Sequence, residues 1–267
     1  MSKKIILSKF VKRDDARIYT LAYKPTPYKL PDNALHTTLH CGAALHDYHF
    51  GLPDNLGTEN ISALNNVYCD TSGLYWIWKN HPTTLKYIGT QQYSKWLNFK
   101  ADTDFDKIFE EYNSVAVPYY CLRGGAVCSP RVQWQKWHPA EVLDLAEEYI
   151  KEHRPEYSAS WDAYINQGEL LYISSGVVLR TEHFEEYCEL FFSMCDYITA
   201  RLGATRENLF DIVKAKFDSG EWRNMFTGRP NDYMCLIYGF LNERVQTMFL
   251  RHLGKVKEVK FKYMDHV

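Results

Sequence analysis

The sequence predicts one α/β domain, a mixed sheet flanked by helices. Short β-branched and aromatic runs alternate along the chain with amphipathic helical stretches, the pattern that lays strands side by side with helices packed on them. At 267 residues the chain is long enough to bury its own core without staples, and no internal repeat or low-complexity linker divides it. The order of elements near its middle is the third observation. The amphipathic run Leu74-Tyr75-Trp76-Ile77-Trp78-Lys79-Asn80 feeds the strand-like Lys86-Tyr87-Ile88-Gly89-Thr90-Gln91-Gln92-Tyr93. A strand with a polar exit delivers those polar groups to the carboxyl edge of the sheet, where open α/β sheets bind ligands.

The elements follow from local pattern. Arg17 to Tyr23 alternates and is β-rich, then breaks at Lys24-Pro25-Thr26-Pro27, as a strand ending in a loop does. Leu39 to Leu45 is a short apolar run suited to a second strand, and Leu52 to Asn60 is a polar loop rich in turn residues. Asp104 to Tyr112 suits a short helix, followed by a strand at Ser114 to Pro118. Pro139 fits the first helical position of a helix whose Val142, Leu143, Ala146, Tyr149 and Ile150 share one face. Leu170 to Leu179 is strand-like. Thr181 can cap the next helix, in which Phe184, Tyr187, Cys188, Phe191, Cys195, Ile198 and Leu202 recur at helical spacing until Gly203. A last helix is expected from about Asp232 to His252, and Lys255 to Tyr263 alternates like an edge strand.

Composition excludes some classes. A net charge of −2 offers no concentrated basic face for nucleic acid. Twenty Tyr, 14 Phe and 7 Trp suit sugar or base stacking and core packing alike, so aromatic content alone decides nothing. Seven scattered cysteines with no CxxC pair give neither a disulfide framework nor a zinc ribbon, which suits a reducing compartment. The apolar run after Met1 is too short for a secretory signal, and no stretch approaches a membrane span, so a cytoplasmic protein, at most peripheral at the membrane, is expected.

Several motifs resemble a known family: Cys41-Gly42-Ala43-Ala44-Leu45, Asn60-Ile61-Ser62, Asn65, Cys69-Asp70-Thr71, the Tyr-Trp-Ile-Trp-Lys-Asn helix, His138-Pro139-Ala140-Glu141, Phe184-Glu185-Glu186-Tyr187-Cys188 and Gly239-Phe240-Leu241-Asn242-Glu243-Arg244. In this order they resemble the DUF4422 family, the glycosyltransferase-like domains of capsule and O-antigen gene clusters. The resemblance runs from residue 18 to the end, leaving 1–17 as an extension. It implies a GT-A-like, Rossmann-related fold that transfers a sugar from a nucleotide-sugar donor, UDP-linked, to a saccharide or lipid-linked saccharide acceptor in surface-polysaccharide synthesis. It places the donor against Thr20, Ala22, Tyr23, Lys24, Asn60, Ser62, Asn65, Asp70, Tyr75, Lys79, Gln91, Gln92, Tyr93 and Lys95, and the acceptor beside Ser175 and Gly176. Three positions depart from the family pattern. Gln92-Tyr93-Ser94-Lys95 stands where His-Tyr-Arg-Arg is usual, so two guanidinium groups become one ammonium. Leu236 replaces an Arg, and Ser175 an Asn.

Each chemical candidate has a structural alternative. GT-A enzymes hold a divalent metal on an Asp-x-Asp motif, but at that place this chain has Gln91-Gln92-Tyr93. Asp102-Thr103-Asp104 spells the motif farther on, in a turn that opens a helix, where Asp caps. A metal-independent site is expected, with Mg or Mn as the alternative. An inverting transfer needs a base for the acceptor hydroxyl. Glu243 is the first candidate, or else the partner of Arg244; Asp232 is the second, or a cap; His138 is the third, or part of a helix start with Glu141. Ser62 can bind the nucleotide or cap a helix, and Trp134 and Trp137 can form an acceptor platform or core. The alternative to a transferase is a catalytically silent module that binds nucleotide sugar or carbohydrate.

Overall fold

The computed structural model describes residues 13–26, 30, 33–57, 59–226 and 228–263. Most of the 1–17 extension, and within the expected loops Pro27 and Thr58, lie outside them. In chain order, strands β1 (Ala16–Ala22), β2 (His36–His40) and β3 (Leu52–Pro53) lead into helices α1 (Asn65–Tyr68) and α2 (Thr71–Asn80). Strands β4 (Tyr87–Gln92) and β5 (Lys95–Leu97) follow, then α3 (Phe105–Phe109), β6 (Ser114–Tyr120) and a small hairpin, β7 (Leu122–Arg123) and β8 (Ala126–Val127). Helices α4 (Pro130–Trp137) and α5 (Ala140–His153) precede β9 (Leu170–Arg180). The chain ends in α6 (Thr181–Arg201), α7 (Leu209–Asp218), α8 (Asn231–Met234), α9 (Ile237–Leu253), β10 (Val256–Glu258) and β11 (Phe261–Tyr263).

The main sheet runs β10-β6-β9-β4-β1-β2-β3, with β5 and β11 attached beside β4. Strands β1, β2, β3 and β4 are parallel, whereas β9 runs antiparallel between β4 and β6, so the sheet is mixed. Side chains alternate across β1. Tyr19 and Leu21 enter the larger core under α2, α5, α6 and α9, while Ala16 and Ile18 enter a smaller core with Val115, Val117, Phe105 and Phe109 on the other face. This two-sided burial is the mixed α/β architecture expected, and it aligns the carboxyl ends of β1, β2 and β4 along one edge.

Several boundaries differ from the sequence pattern, each for a local reason. The second strand is His36–His40, because Gly42 turns the chain at φ +74° and Ala43–Leu45 forms a 3-10 turn. Thr181 does not cap α6; its hydroxyl donates to Leu85 O at 2.6 Å, tying the helix to the loop before β4. The last helix is broken at Cys235-Leu236 into α8 and α9. The tail pairs in two places, β10 parallel to β6 and β11 antiparallel to β5.

Candidate functional site

A cleft of about 500 Å³ opens at the carboxyl ends of β1, β2 and β4. Leu21 and Tyr23 line it from β1, Leu45 and His46 from the turn after β2, and Gln92, Tyr93 and Ser94 from the exit of β4. Asn65 and Asn66 come from α1, Cys69 and Asp70 from the link to α2, Ser174 from β9, Tyr233 from α8, Leu236 from the break after it, and Gly239, Phe240 and Glu243 from α9.

One buried carboxylate organises this edge. Asp54, fully buried, accepts from Gly42 N at 2.9 Å, Ala43 N at 3.0 Å, Ser72 Oγ at 2.8 Å and the Ser62 hydroxyl. Four donors from three segments converge on two oxygens, which fixes the turn after β2 against the start of α2. Gly42 is required there twice over: its φ is positive, and a Cβ would sit 2.7 Å from the Asn65 side chain. Gly239 does the equivalent for α9. A Cβ on it would meet Cys69 Cβ at 2.6 Å, so only glycine lets α9 press against the Cys69 side chain and bring Glu243, one turn on, into the same cleft.

Asp70 and Glu243 are the two carboxylates of the cleft. Glu243 Oε2 accepts from Tyr119 Oη at 2.8 Å and pairs with Arg244 Nη1 at 2.9 Å. Arg244 is buried and also donates to Phe240 O and Gln133 Oε1. Asp70 Oδ2 accepts from the Ser175 hydroxyl. Burial pushes the Asp70 carboxyl up to about 6; the Ser175 bond lowers it, and the Glu243 charge adds to the rise. Cys69 and Ser175, at φ +52° and +56°, are the non-glycine residues with positive φ among those described, and both adjoin Asp70. Such backbone costs on the order of 1–3 kcal/mol per residue and collects at functional sites. Asn242 Nδ2 donates to Ser174 Oγ at 2.8 Å, fixing α9 to the strand that carries Ser175.

The residues singled out from the sequence divide into three groups. Tyr23, Asn65, Asp70, Gln92, Tyr93 and Glu243 line the cleft. A second group sits close by with its groups committed. Gln91 donates to Thr20 Oγ1 at 2.9 Å and accepts from Leu97 N, so this pair joins β1, β4 and β5. Ser62 spends its hydroxyl on Asp54 and Ala44 N, and Asn60 accepts from Ser62 N in a local turn. Ala22 is buried, and a Cβ on Gly176 would strike Phe261, so this strand position is a packing site. Lys24 lies by the Tyr23 ring and Lys95 by Phe261, both flanking the mouth.

The third group is elsewhere. Tyr75 and Lys79 lie on the face of α2 that meets α6, where Tyr75 packs edge-on to Phe192 and Lys79 covers Trp78, because the helix starts at the cleft and runs away from it. Asp232 is exposed and paired with Lys214 at 2.9 Å. His138 is buried against Trp134 and Phe240, and burial holds it well below its usual range, in the neutral form. It borders a separate groove shared with Trp222 and Glu141, so neither Asp232 nor His138 lines the cleft. Trp134 is fully buried and donates to Pro139 O at 2.6 Å, so it is core on α4, whereas Trp137 is half-buried, stacks on Phe226 and does not line the cleft. His46, Asn66, Ser174 and Tyr119 were not singled out in the sequence; nothing in their local pattern marks them, since only the fold brings them to the cleft.

The donor set at the β4 exit does not fit a divalent cation. Gln91 is spent, Gln92 and Tyr93 offer no carboxylate, and hard cations need several oxygens of that kind. Among the described residues no group of three or more His, Cys, Asp and Glu side chains converges. Asp104 caps α3 by accepting from Lys107 N at 3.1 Å, away from the cleft. Among the described residues no helix is long and apolar enough to cross a membrane.

The comparisons agree with this architecture. The fold is similar to that of the WbbM bifunctional glycosyltransferase in its apo structure, with a TM-score of 0.68 and 21% identity over 93% of this chain. The chain spans 45% of that protein's length. The shared fold is GT-A-like. No curated protein matches the sequence. The family model described as a domain of unknown function, DUF4422, matches residues 17–212, and the chain belongs to that family.

Proposed function

We propose that the protein is a glycosyltransferase that moves a sugar from a nucleoside-diphosphate sugar, UDP-linked, to a saccharide or lipid-linked saccharide acceptor, with inversion, in the synthesis of a surface polysaccharide. The observation that carries this reading is the pair of carboxylates, Asp70 and Glu243, in one cleft at the carboxyl ends of β1, β2 and β4 of a GT-A-like fold. The cleft volume of about 500 Å³ suits a ligand of this size. Tyr23, His46 and Tyr93 offer ring faces to a base or sugar, and Gln92, Ser94, Asn66 and Ser174 offer hydrogen bonds. A cytoplasmic protein acting at the membrane periphery would meet both substrates.

The test is a thermal-shift screen with UDP, GDP, CDP, TDP and their sugars, and CMP-sugars. A nucleotide at a hundredfold excess over its Kd should stabilise the protein by about 2.7 kcal/mol and identify the donor base. No shift with any of them contradicts the proposal. Slow donor cleavage in the absence of acceptor separates a transferase from a module that only binds.

A further inference from the structure

The two carboxylates of the cleft are held unequally. Glu243 is tied by the Tyr119 hydroxyl and by Arg244, whose guanidinium is buried and anchored on two further acceptors. Glu243 Oε2 is already spent on these two partners. Asp70 has no ion pair among the described residues. The Ser175 hydroxyl occupies Oδ2, and no other described side chain donates to Oδ1. The residue is gripped between two backbone positions in the left-handed region, one preceding it in the chain and one hydrogen-bonded to it. That arrangement holds a carboxyl group at a fixed place in the cleft, with Oδ1 taken by no described side chain.

We infer that Asp70 is the proton acceptor of the transfer and that Glu243, through its charge and its anchoring by Arg244 and Tyr119, is a positioning residue for it. The assignment rests on the transferase reading above. As the acceptor oxygen forms its bond to the anomeric carbon, its proton passes to Asp70 Oδ1. The bond from that carbon to the diphosphate oxygen breaks, and its electron pair leaves with the nucleoside diphosphate. Water can take the place of the saccharide, so the same step is readable as donor hydrolysis.

The groups that face Asp70 decide its titration. Glu243 does so from α9 with Arg244 behind it, Cys69 from its own segment, Cys41 from the end of β2 and Tyr187 from α6. His46 and Tyr233 face the same cleft. Burial pushes both thiols and the Tyr187 phenol up, so they stay neutral while Asp70 titrates near 6.

The experiment follows nucleoside diphosphate release from UDP-, GDP-, CDP- and TDP-hexoses, with water as acceptor, across the pH range in wild type, Asp70→Asn, Glu243→Gln and Ser175→Ala. Thermal shifts with the same donors are read in parallel. Wild-type release should fall as the pH drops through about 6. Asp70→Asn should lose roughly 10² to 10⁴-fold while still binding donor. Glu243→Gln should lose no more than about tenfold and move the acid limb to lower pH, since a neighbouring negative charge is gone; Ser175→Ala should move it to higher pH. An Asp70→Asn protein that binds donor and retains wild-type release overturns the assignment alone. So does a loss of 10² or more in Glu243→Gln, on the same general-base scale, with the limb unmoved. If Asp70→Asn does not fold, acid limbs that stay in place in the other two variants overturn it equally. Failure of every donor to bind wild type removes the transferase reading and this assignment with it.

Discussion

Replacing Asp70 by Asn is expected to stabilise the protein at neutral pH, whatever it does to activity. The carboxyl is half-buried in the cleft beside Glu243, and desolvation there raises its folded-state value from 3.8 to about 6. A group raised in this way favours the folded state while protonated. Its contribution is present below about pH 4, is lost as the pH rises through about 6, and is absent at pH 8. At about 1.36 kcal/mol per pH unit of displacement the wild type forgoes about 3 kcal/mol above that window, and water reaching the open side of the cleft trims this to about 2. Asparagine keeps a carbonyl for the Ser175 hydroxyl and carries no charge, so it should recover that amount. Urea unfolding of both proteins at pH 8, 6 and 4 measures it. The variant should be more stable by about 2–3 kcal/mol at the highest pH, with a difference that vanishes at the lowest. A variant less stable than wild type at pH 8, or a difference independent of pH, would refute the burial and repulsion assigned to this site.

Three other perturbations test the scaffold and the chemistry. Asp54→Asn turns one of two acceptor oxygens into a donor that faces a backbone N–H, Gly42 or Ala43, and should cost about 1–3 kcal/mol by denaturant unfolding; a neutral result would contradict the network described. Trp134→Ala should cost about 3–5 kcal/mol and leave donor affinity unchanged, because the ring is buried under Arg244; a stable variant with weakened acceptor use would restore the platform reading. Donor cleavage should persist in EDTA, because the β4 exit presents Gln91, Gln92 and Tyr93; loss in chelator with recovery on Mn would contradict this and direct attention to Asp102 and Asp104.

The parts of this molecule legible in its sequence were those whose signal is local. Arg17 to Tyr23 and Lys86 to Tyr93 alternate in strands, Phe184 to Leu202 recurs at helical spacing, and Gly203 ends that helix at φ +71°. The motif residues Asn65, Asp70, Gln92, Tyr93 and Glu243 do meet in the cleft. What the sequence could not disclose is which polar group is already spent. Thr20 and Gln91 satisfy each other, Ser62 serves Asp54, and Asp232 meets Lys214, all across distances in the chain that no local pattern records. Trp134 and Trp137 illustrate the same limit: a pair three apart fits a platform or a buried helix face, and only the packing of α4 against Arg244, Pro139 and Phe226 distinguishes them. The unequal tethering of Asp70 and Glu243 depends on Tyr119, Gln133 and Ser175, which lie on three other elements.

The central claim is that the cleft at the carboxyl ends of β1, β2 and β4 holds the nucleotide-sugar donor. Its most direct test is a crystal soaked with the nucleotide sugar that gives the largest thermal shift. Density for the nucleotide is expected between Tyr23, His46 and Tyr93, with the anomeric carbon toward Asp70. Density in the groove between His138 and Trp222, or beside Lys79 where α2 meets α6, with the cleft empty, would contradict it.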